Sequence, residues 1–316
     1  MAGINQSIDQ TRIVQFTNNV LHLSQQRMSR LWQFLKHENV KGKASYSQRM
    51  GLTEMVEKTG RHQIVTEEKA EWSRRRLTTR PYTWHKWIDP FDQTMNIQDP
   101  QGEYSKAAEF AVARRLDRTA IIGCLGTSYS GEEGATAVPL PSDQKLAAVD
   151  KAGTGAVHSL LSVETLIQVK NKMWRDEVLM DDGQMIPFVT TADNPANLLR
   201  TTEVQSADYN TVKALVNGEV NTFMGFKFIR IEFLPRSVQA LAAADSANTG
   251  GVDAPLGSIR NFAFVPKAVS GGISQNKYVT ADRVPLYNNE TLLQMHLAIG
   301  ATRLEEKCVI EVLTKA

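Results

Sequence analysis

Leu293, Met295, Leu297 and Ile299 alternate with Gln294, His296 and Ala298, the period of two expected of a strand with one buried face. The strand runs into Gly300 to Glu306, read as a turn, and a second strand is predicted from Cys308 to Leu313. A period of four governs Ala108, Val112, Leu116 and Ala120. Asp99 suits the cap of that helix, Pro100 its first position and Glu103 its first turn, so the spacing predicts a long helix from about Pro100 to Cys124, ended by Gly123 and Gly126. A second helix opens near Ser162, with Ile167, Trp174 and Val178 on one side and Leu166, Val169 and Met173 beside them. Asp182-Gly183 turns it into a strand, Met185 to Thr190. A short helix is expected from Ser206 to Asn217, closed by Gly218. Strands are expected over Phe226 to Phe233, Asn261 to Val265 and Lys277 to Ala281, with Ile229, Ile231 and Phe233 sharing one face. Residues 127–158 read as loop with short strands, and the Ala-, Ser- and Gly-rich stretch 237–258 as an exposed loop.

The first hundred residues are patterned differently. Ile13, Phe16, Val20 and Leu23, then Met28, Leu31 and Leu35, keep helical spacing with a phase break around Ser24 to Arg27. This amphipathic arm has no partner nearby in sequence and would pack on the main core or dock on another subunit, with Leu31 and Trp32 as contact candidates. Lys41 to Gly60 is small and polar, reading as a link. In residues 61–98, Arg74, Arg75, Arg76 and Arg80 interleave with Trp72, Tyr82, Trp84 and Trp87, with too few aliphatic residues for a core. This segment reads as a two-stranded projection turning near Thr78 to Pro81, and such a hairpin is marginal until it packs on something.

Charge sharpens the contrast. The chain of 316 residues has a formal net charge of +2, yet residues 1–87 hold fifteen Lys and Arg against seven Asp and Glu, and the remainder is acidic. The basic end could meet nucleic acid or the acidic remainder of a neighbouring copy. Arg and Trp together suit phosphates and bases, but also the hot spots of a protein interface, and Glu67, Glu68 and Glu71 nearby favour the latter. With 42% hydrophobic and 22% charged residues the composition is that of a soluble globular protein. No run approaches the roughly 18 apolar residues of a membrane span, and Met1 to Gln10 lacks an apolar signal core, so neither membrane insertion nor secretion is expected.

The sequence carries no catalytic or metal-binding constellation. Cys124 and Cys308 are the only cysteines, read as buried apolar residues rather than a disulfide or zinc pair. The six histidines, at 22, 37, 62, 85, 158 and 296, form no metal-binding spacing. No phosphate loop, nucleophile elbow or calcium loop occurs. Neither an enzyme nor a cofactor is expected.

The order of five segments is more informative. Trp87-Ile88-Asp89 precedes Asp99-Pro100-Gln101-Gly102-Glu103-Tyr104 and the helix Ala107 to Ile122. Asp208-Tyr209-Asn210 through Gly218, then Phe223 to Ile229, Asn261 to Phe264 and the Gly300 to Glu306 turn complete it. This order resembles the major capsid proteins of tailed bacteriophages with the HK97 fold, in their short-tailed-phage-like branch. The resemblance implies an α+β capsid fold with an N-terminal arm (1–60), an E-loop (61–98), the spine helix of a P-domain (99–127), a region that is mainly A-domain (128–265) and closing strands of both domains (266–316). It implies hexamers and pentamers of an icosahedral virion head, assembled in the host cytoplasm around double-stranded DNA contacted non-specifically. A separate scaffold protein and a portal would be partners, and no membrane. Arg74, Arg75, Arg76, Arg80, Trp84, Trp87, Leu31 and Trp32 are the candidate inter-subunit contacts. The alternatives are an encapsulin-type shell of the same fold, enclosing a cargo protein, and a basic nucleic-acid-binding protein.

Overall fold

The computed structural model describes residues 25–61, 67–89, 100–148, 160–178, 185–200, 222–235 and 258–315. A 3-10 turn, Trp32–Phe34, leads into strands β1 (Lys36–Asn39), β2 (Ala44–Met50), β3 (Trp72–Thr78) and β4 (Arg80–Ile88). Helix α1 (Pro100–Leu125) is followed by β5 (Ser128–Ser130), β6 (Thr136–Val138) and β7 (Lys145–Ala147). Then come α2 (Val163–Arg175), β8 (Ile186–Thr190), α3 (Asp193–Arg200), β9 (Thr222–Phe223) and β10 (Phe226–Arg230). The chain closes with β11 (Ser258–Phe264), β12 (Val269–Val284), β13 (Glu290–Arg303) and β14 (Val309–Lys315). Pairing groups the described strands into three sheets, ordered β7-β14-β11-β8-β10-β9, β1-β12-β13-β4 and β2-β3-β5-β6.

The six-stranded sheet is covered on both faces, so its central strands read as continuous apolar runs; every residue of β8 and β11 is buried. Alternation sorts their side chains. Val189, Ile229, Phe262, Phe264 and Val309 join Leu31, Ala120, Ile121 and Cys124 in one cluster, beneath α1 and the arm. Phe188, Phe228, Ala263, Ile310 and Val312 join Leu166, Val169, Met173 and Leu198 in the other, beneath α2 and α3. Two polar pairs are enclosed with them. Arg260 and Glu311 form a buried two-point ion pair, and Asn194 Nδ2 donates to Thr190 Oγ1 at 2.9 Å and Asn261 Oδ1 at 3.3 Å, at the start of α3.

Helix α1 has the expected extent, but its buried face runs through Ala113, Asp117, Ala120 and Cys124, leaving Val112 and Leu116 half-buried. Small residues win because α1 lies hard against β13. A Cβ on Gly123 would stand 2.5 Å from the Cβ of Ala301, so Gly123 is a close-approach position inside the helix and not its terminator. Helix α2 is capped by Ser162, whose Oγ accepts from Thr165 N at 3.2 Å. Its core face is Leu166, Val169 and Met173; Trp174 is half exposed, its ring 5.0 Å from Lys170 Nζ. Helix α3 was not expected, being eight residues long with Pro195 in its first turn. Strand β10 stops at Arg230, three residues early, although Ile231 and Leu234 remain buried. The stripe Ile13 to Leu23, the turn Asp182-Gly183, the helix expected over Ser206 to Asn217 and the loop 237–257 lie outside the described residues.

Two expectations are overturned. Met28 to Leu35 is not an α-helix and holds only the 3-10 turn Trp32–Phe34: Met28 is exposed, Leu31 and Leu35 are buried, and the chain continues as β1, parallel to β12. The amide donors of Arg30 and Leu31 go to the Asp117 carboxylate, so they are diverted from a helical ladder. Nor do β3 and β4 form a hairpin. β3 pairs antiparallel with β2 and β5, whereas β4 pairs with β13 in another sheet. Only Thr79 separates them, and the chain crosses there over Gly300, where any Cβ would collide with the carbonyl oxygen of Thr78. The projecting ribbon is therefore β2–β3, and seven residues of the supposed link at 41–60 form one of its strands.

Candidate assembly surface

The base of the β2–β3 ribbon is fastened to the turn between β13 and β14. Arg75, 1% exposed, forms an ion pair with Glu306, and its Nε points at the carbonyl oxygen of Leu304 at 3.4 Å. Arg49, on the paired strand, donates to that same carbonyl at 2.7 Å and lies 3.5 Å from Glu306. Burial lowers the affinity of Arg75 for its proton, and Glu306 opposes that shift. Beneath this, Arg303 is fully buried and donates to the carbonyls of Cys124 at 2.6 Å, Gly126 at 2.5 Å and Val138 at 3.3 Å. It thereby takes up free carbonyls at the C-terminal end of α1, and burial brings its pKa down to about 10.

Away from the base the ribbon is bare. Met50, Leu52, Met55, Val56 and Trp72 are all exposed, Leu52 at 92% and Trp72 at 69%. Trp72, Arg74 and Gln48 also line an open cleft of about 620 Å³ facing Ser130 and Glu132. A second apolar projection is the tip of the β12–β13 hairpin, where Leu286 is 90% exposed and Tyr287 stacks at 4.9 Å on Trp87 of β4.

The arm crosses α1 at Asp117. This carboxylate is fully buried and accepts from Gln26 Nε2, Ser29 Oγ, Arg30 N at 3.0 Å and Leu31 N at 3.0 Å. Leu31 is carried into the core behind it, and Trp32 packs half-buried on the same cluster, its ring against Gly271.

The eight contact candidates thus lie in different places. Arg74 is exposed on the ribbon; Arg75 is inside its base; Arg76 is half-buried, donating to the carbonyl of Glu133 at 3.2 Å. Arg80 and Trp84 are half-buried on β4, and Trp87 is at the hairpin tip. Leu31 and Arg75 have no surface to offer, since the subunit's own core and Glu306 occupy them. Sequence reasoning missed Asp117, Glu306 and the apolar residues at 50–56. Only the last left a signal, four large apolar side chains in a stretch otherwise read as a polar link.

No group of three or more His, Cys, Asp or Glu side chains able to hold a metal occurs among the described residues, and no described helix is long and apolar enough to cross a membrane. Cys124 and Cys308 are buried free thiols whose pKa burial pushes up to about 12, the opposite of a nucleophile's environment.

The profile of the phage capsid protein family matches residues 8–315. The chain belongs to that family. Its role is structural, in the virion capsid, and it is not an enzyme. Among curated proteins none matches. The fold is shared with the capsid protein of cyanophage P-SCSP1u, at a TM-score of 0.75 and 14% identity over 97% of this chain and 94% of that one. The capsid protein of cyanophage Pam1 follows at 0.71 and 15%, covering 100% and 99%. The acid-stable capsid of Helicobacter pylori bacteriophage KHP30 aligns at 0.73 with 8% identity, over 98% and 97%. The α+β, HK97-like capsid fold is thus retained where little sequence is.

Proposed function

We propose that this capsid protein assembles into the hexamers and pentamers of an icosahedral head that encloses double-stranded DNA, using the β2–β3 ribbon as the arm that reaches a neighbouring subunit. In this reading the ribbon, not residues 61–98, is the E-loop, α1 is the spine helix, and the six-stranded sheet with α2 and α3 is the A-domain. A scaffold protein and a portal are the further partners, and assembly takes place in the host cytoplasm.

The observation that carries the reading is the contrast within the ribbon. Its base is ion-paired within the subunit, while Leu52, Met55, Val56 and Trp72 remain in water. Large apolar side chains left exposed along one segment suit an interaction site, and a closed shell of repeated interfaces is the assembly in which each copy both offers and receives such a ribbon. Leu52→Ser/Trp72→Ser tests it. Both side chains are exposed, so the subunit should fold, with an unchanged circular dichroism spectrum, while closed shells seen by electron microscopy and sedimentation become scarce. Normal shells from this variant would remove the ribbon from the interface. Alanine at Arg74, Arg75 and Arg76 together is a poorer test, because it would also strip Glu306 of its buried partner.

A further inference from the structure

Most of the described ion-paired arginines lie at the ribbon or in the core: Arg49 and Arg75 on Glu306, Arg260 on Glu311. Four others collect where the arm crosses α1, and none has a carboxylate partner among the described residues. Arg114 and Arg118 are four residues apart on α1 and so share a face. Arg114 Nη1 is held 2.6 Å from Gln25 Oε1 of the arm. Arg30, whose backbone amide is pinned on Asp117, donates from Nη1 to the carbonyl of Arg230. Arg27 is exposed between Gln26 and Met28, and Arg118 is exposed with its guanidinium 5.6 Å from the centre of the Phe233 ring. Two chain segments distant in sequence thus bring four guanidinium groups to one surface, and a third, at Arg230 and Phe233, receives two of them.

Asp117 and the exposed Glu232 offset only part of this charge. Asp117, in the middle of the patch, is fully buried with its oxygens on arm donors, and Glu232 accepts from the amide of Ala192. Lys227 extends the positive side, its Nζ 5.2 Å over the ring of Phe34. By contrast Arg115, between Arg114 and Arg118's neighbours, turns the other way and stacks at 3.8 Å on Tyr82.

We infer that this arm–α1 patch is a phosphate-binding surface for double-stranded DNA, contacting the backbone without reading sequence. Arginine forks match phosphate oxygens, and an array without base-reading geometry neutralises charge and releases counterions wherever the duplex lies. A meeting with an acidic face of another copy is the competing occupant. The inference rests on the DNA-enclosing reading above but assigns it to residues other than the Arg- and Trp-rich ribbon.

The test is anisotropy of a short labelled duplex titrated with the full chain, as dissociated subunits or capsomers, over a salt series. Each phosphate neutralised contributes about 0.9 to the slope of log affinity against log salt. Arg27→Gln/Arg118→Gln removes two charges whose side chains make no hydrogen bond among the described residues, and should lower the slope by about two. Arg114→Gln/Arg30→Gln should do the same, with folding checked by circular dichroism. Arg175→Gln/Arg283→Gln, on α2 and at the β12–β13 tip, should leave the slope unchanged. A wild-type slope in both patch variants, equal loss in the α2 control, or no DNA binding by the wild type would overturn the inference. So would patch variants that bind DNA normally but fail to form shells, which would give the patch to another subunit. A wild type that binds DNA through the patch yet never forms shells would leave this inference standing and sink the shell reading instead.

Discussion

Asp117→Asn is the sharpest probe of how the arm is held. The substitution keeps the shape of the side chain, removes its charge and replaces one acceptor oxygen by a donor. In the native subunit Oδ1 accepts from Ser29 Oγ, Arg30 N and Leu31 N, while Oδ2 accepts from Gln26 Nε2 and shares Arg30 N. With the amide oxygen at the Oδ1 position, the two backbone amides keep a partner without charge assistance, and Gln26 Nε2 faces another donor. Bonds to charged groups contribute about 1.5–3 kcal/mol against about 0.5–1.5 for neutral ones, so one lost bond and three weakened ones, that of Ser29 Oγ included, destabilise arm docking by about 2–3 kcal/mol. If the arm opens locally, that is roughly a 30- to 150-fold faster exchange of the Arg30 and Leu31 amide hydrogens. Native-state hydrogen exchange by mass spectrometry, with β11 as internal reference, reads this directly. Unchanged exchange at Arg30 and Leu31 would refute the clamp. An equal rise in β11 would mean that Asp117 supports the whole subunit rather than the arm.

Gly300→Ala should lower the urea midpoint by the equivalent of about 1–3 kcal/mol, because the obstructing atoms belong to the Thr78–Thr79 backbone; a neutral result would deny the close crossing. Glu306→Gln leaves Arg75 buried without its counter-charge and should cost about 3 kcal/mol in chemical denaturation, more than Glu305→Gln at the exposed neighbour. The two thiols carry a pH dependence. Their folded pKa of about 12 lies above the ordinary value of 9.0, so the stability they contribute is complete below pH 9 and is lost as the pH rises from there toward 12, where the unfolded chain releases protons that the folded one retains. Cys124→Ala should flatten that alkaline decline in thermal melts, and a thiol reagent should label neither cysteine until the protein is denatured.

The elements most legible in the sequence were those whose burial follows a single period. Leu293 to Ile299 alternates because β13 has one buried face there, and α1 opens at Pro100 with Glu103 in its first turn. The failures share a cause: the deciding partner is remote in sequence. Nothing local to Met28–Leu35 reveals that Asp117, more than eighty residues away, will take the amides that a helix would need. Nothing in the run from Trp72 to Trp87 reveals that Thr79 divides two sheets, since β2 and β13 compete for its two halves and both win. Arg75 and Arg74 look alike in sequence; strand alternation puts one against Glu306 and the other in solvent. Composition therefore singled out an Arg- and Trp-rich segment, yet could not say which of its residues are spent inside the subunit.

If the ribbon is the assembly arm proposed above, that division explains how it can be effective without a large interface. An ordered arm must overcome the conformational entropy of its residues, and a ribbon hinged only at its ends would lose most of its binding free energy to ordering. Here Arg49, Arg75, Leu304 and Glu306 fix the base before any partner arrives, and β5 pairs with β3 alongside. Burying a side chain such as Leu, Met or Val gains about 1.5–3 kcal/mol, so the exposed residues from Met50 to Val56 with Trp72 offer enough for a modest contact and not for an irreversible one. A shell closes through many such contacts, and each must be weak enough to break when a copy joins in the wrong orientation. Placing the ion pairs at the base and bare apolar side chains beyond it meets both needs: the charges set the direction of the ribbon, and the apolar residues set how tightly it holds.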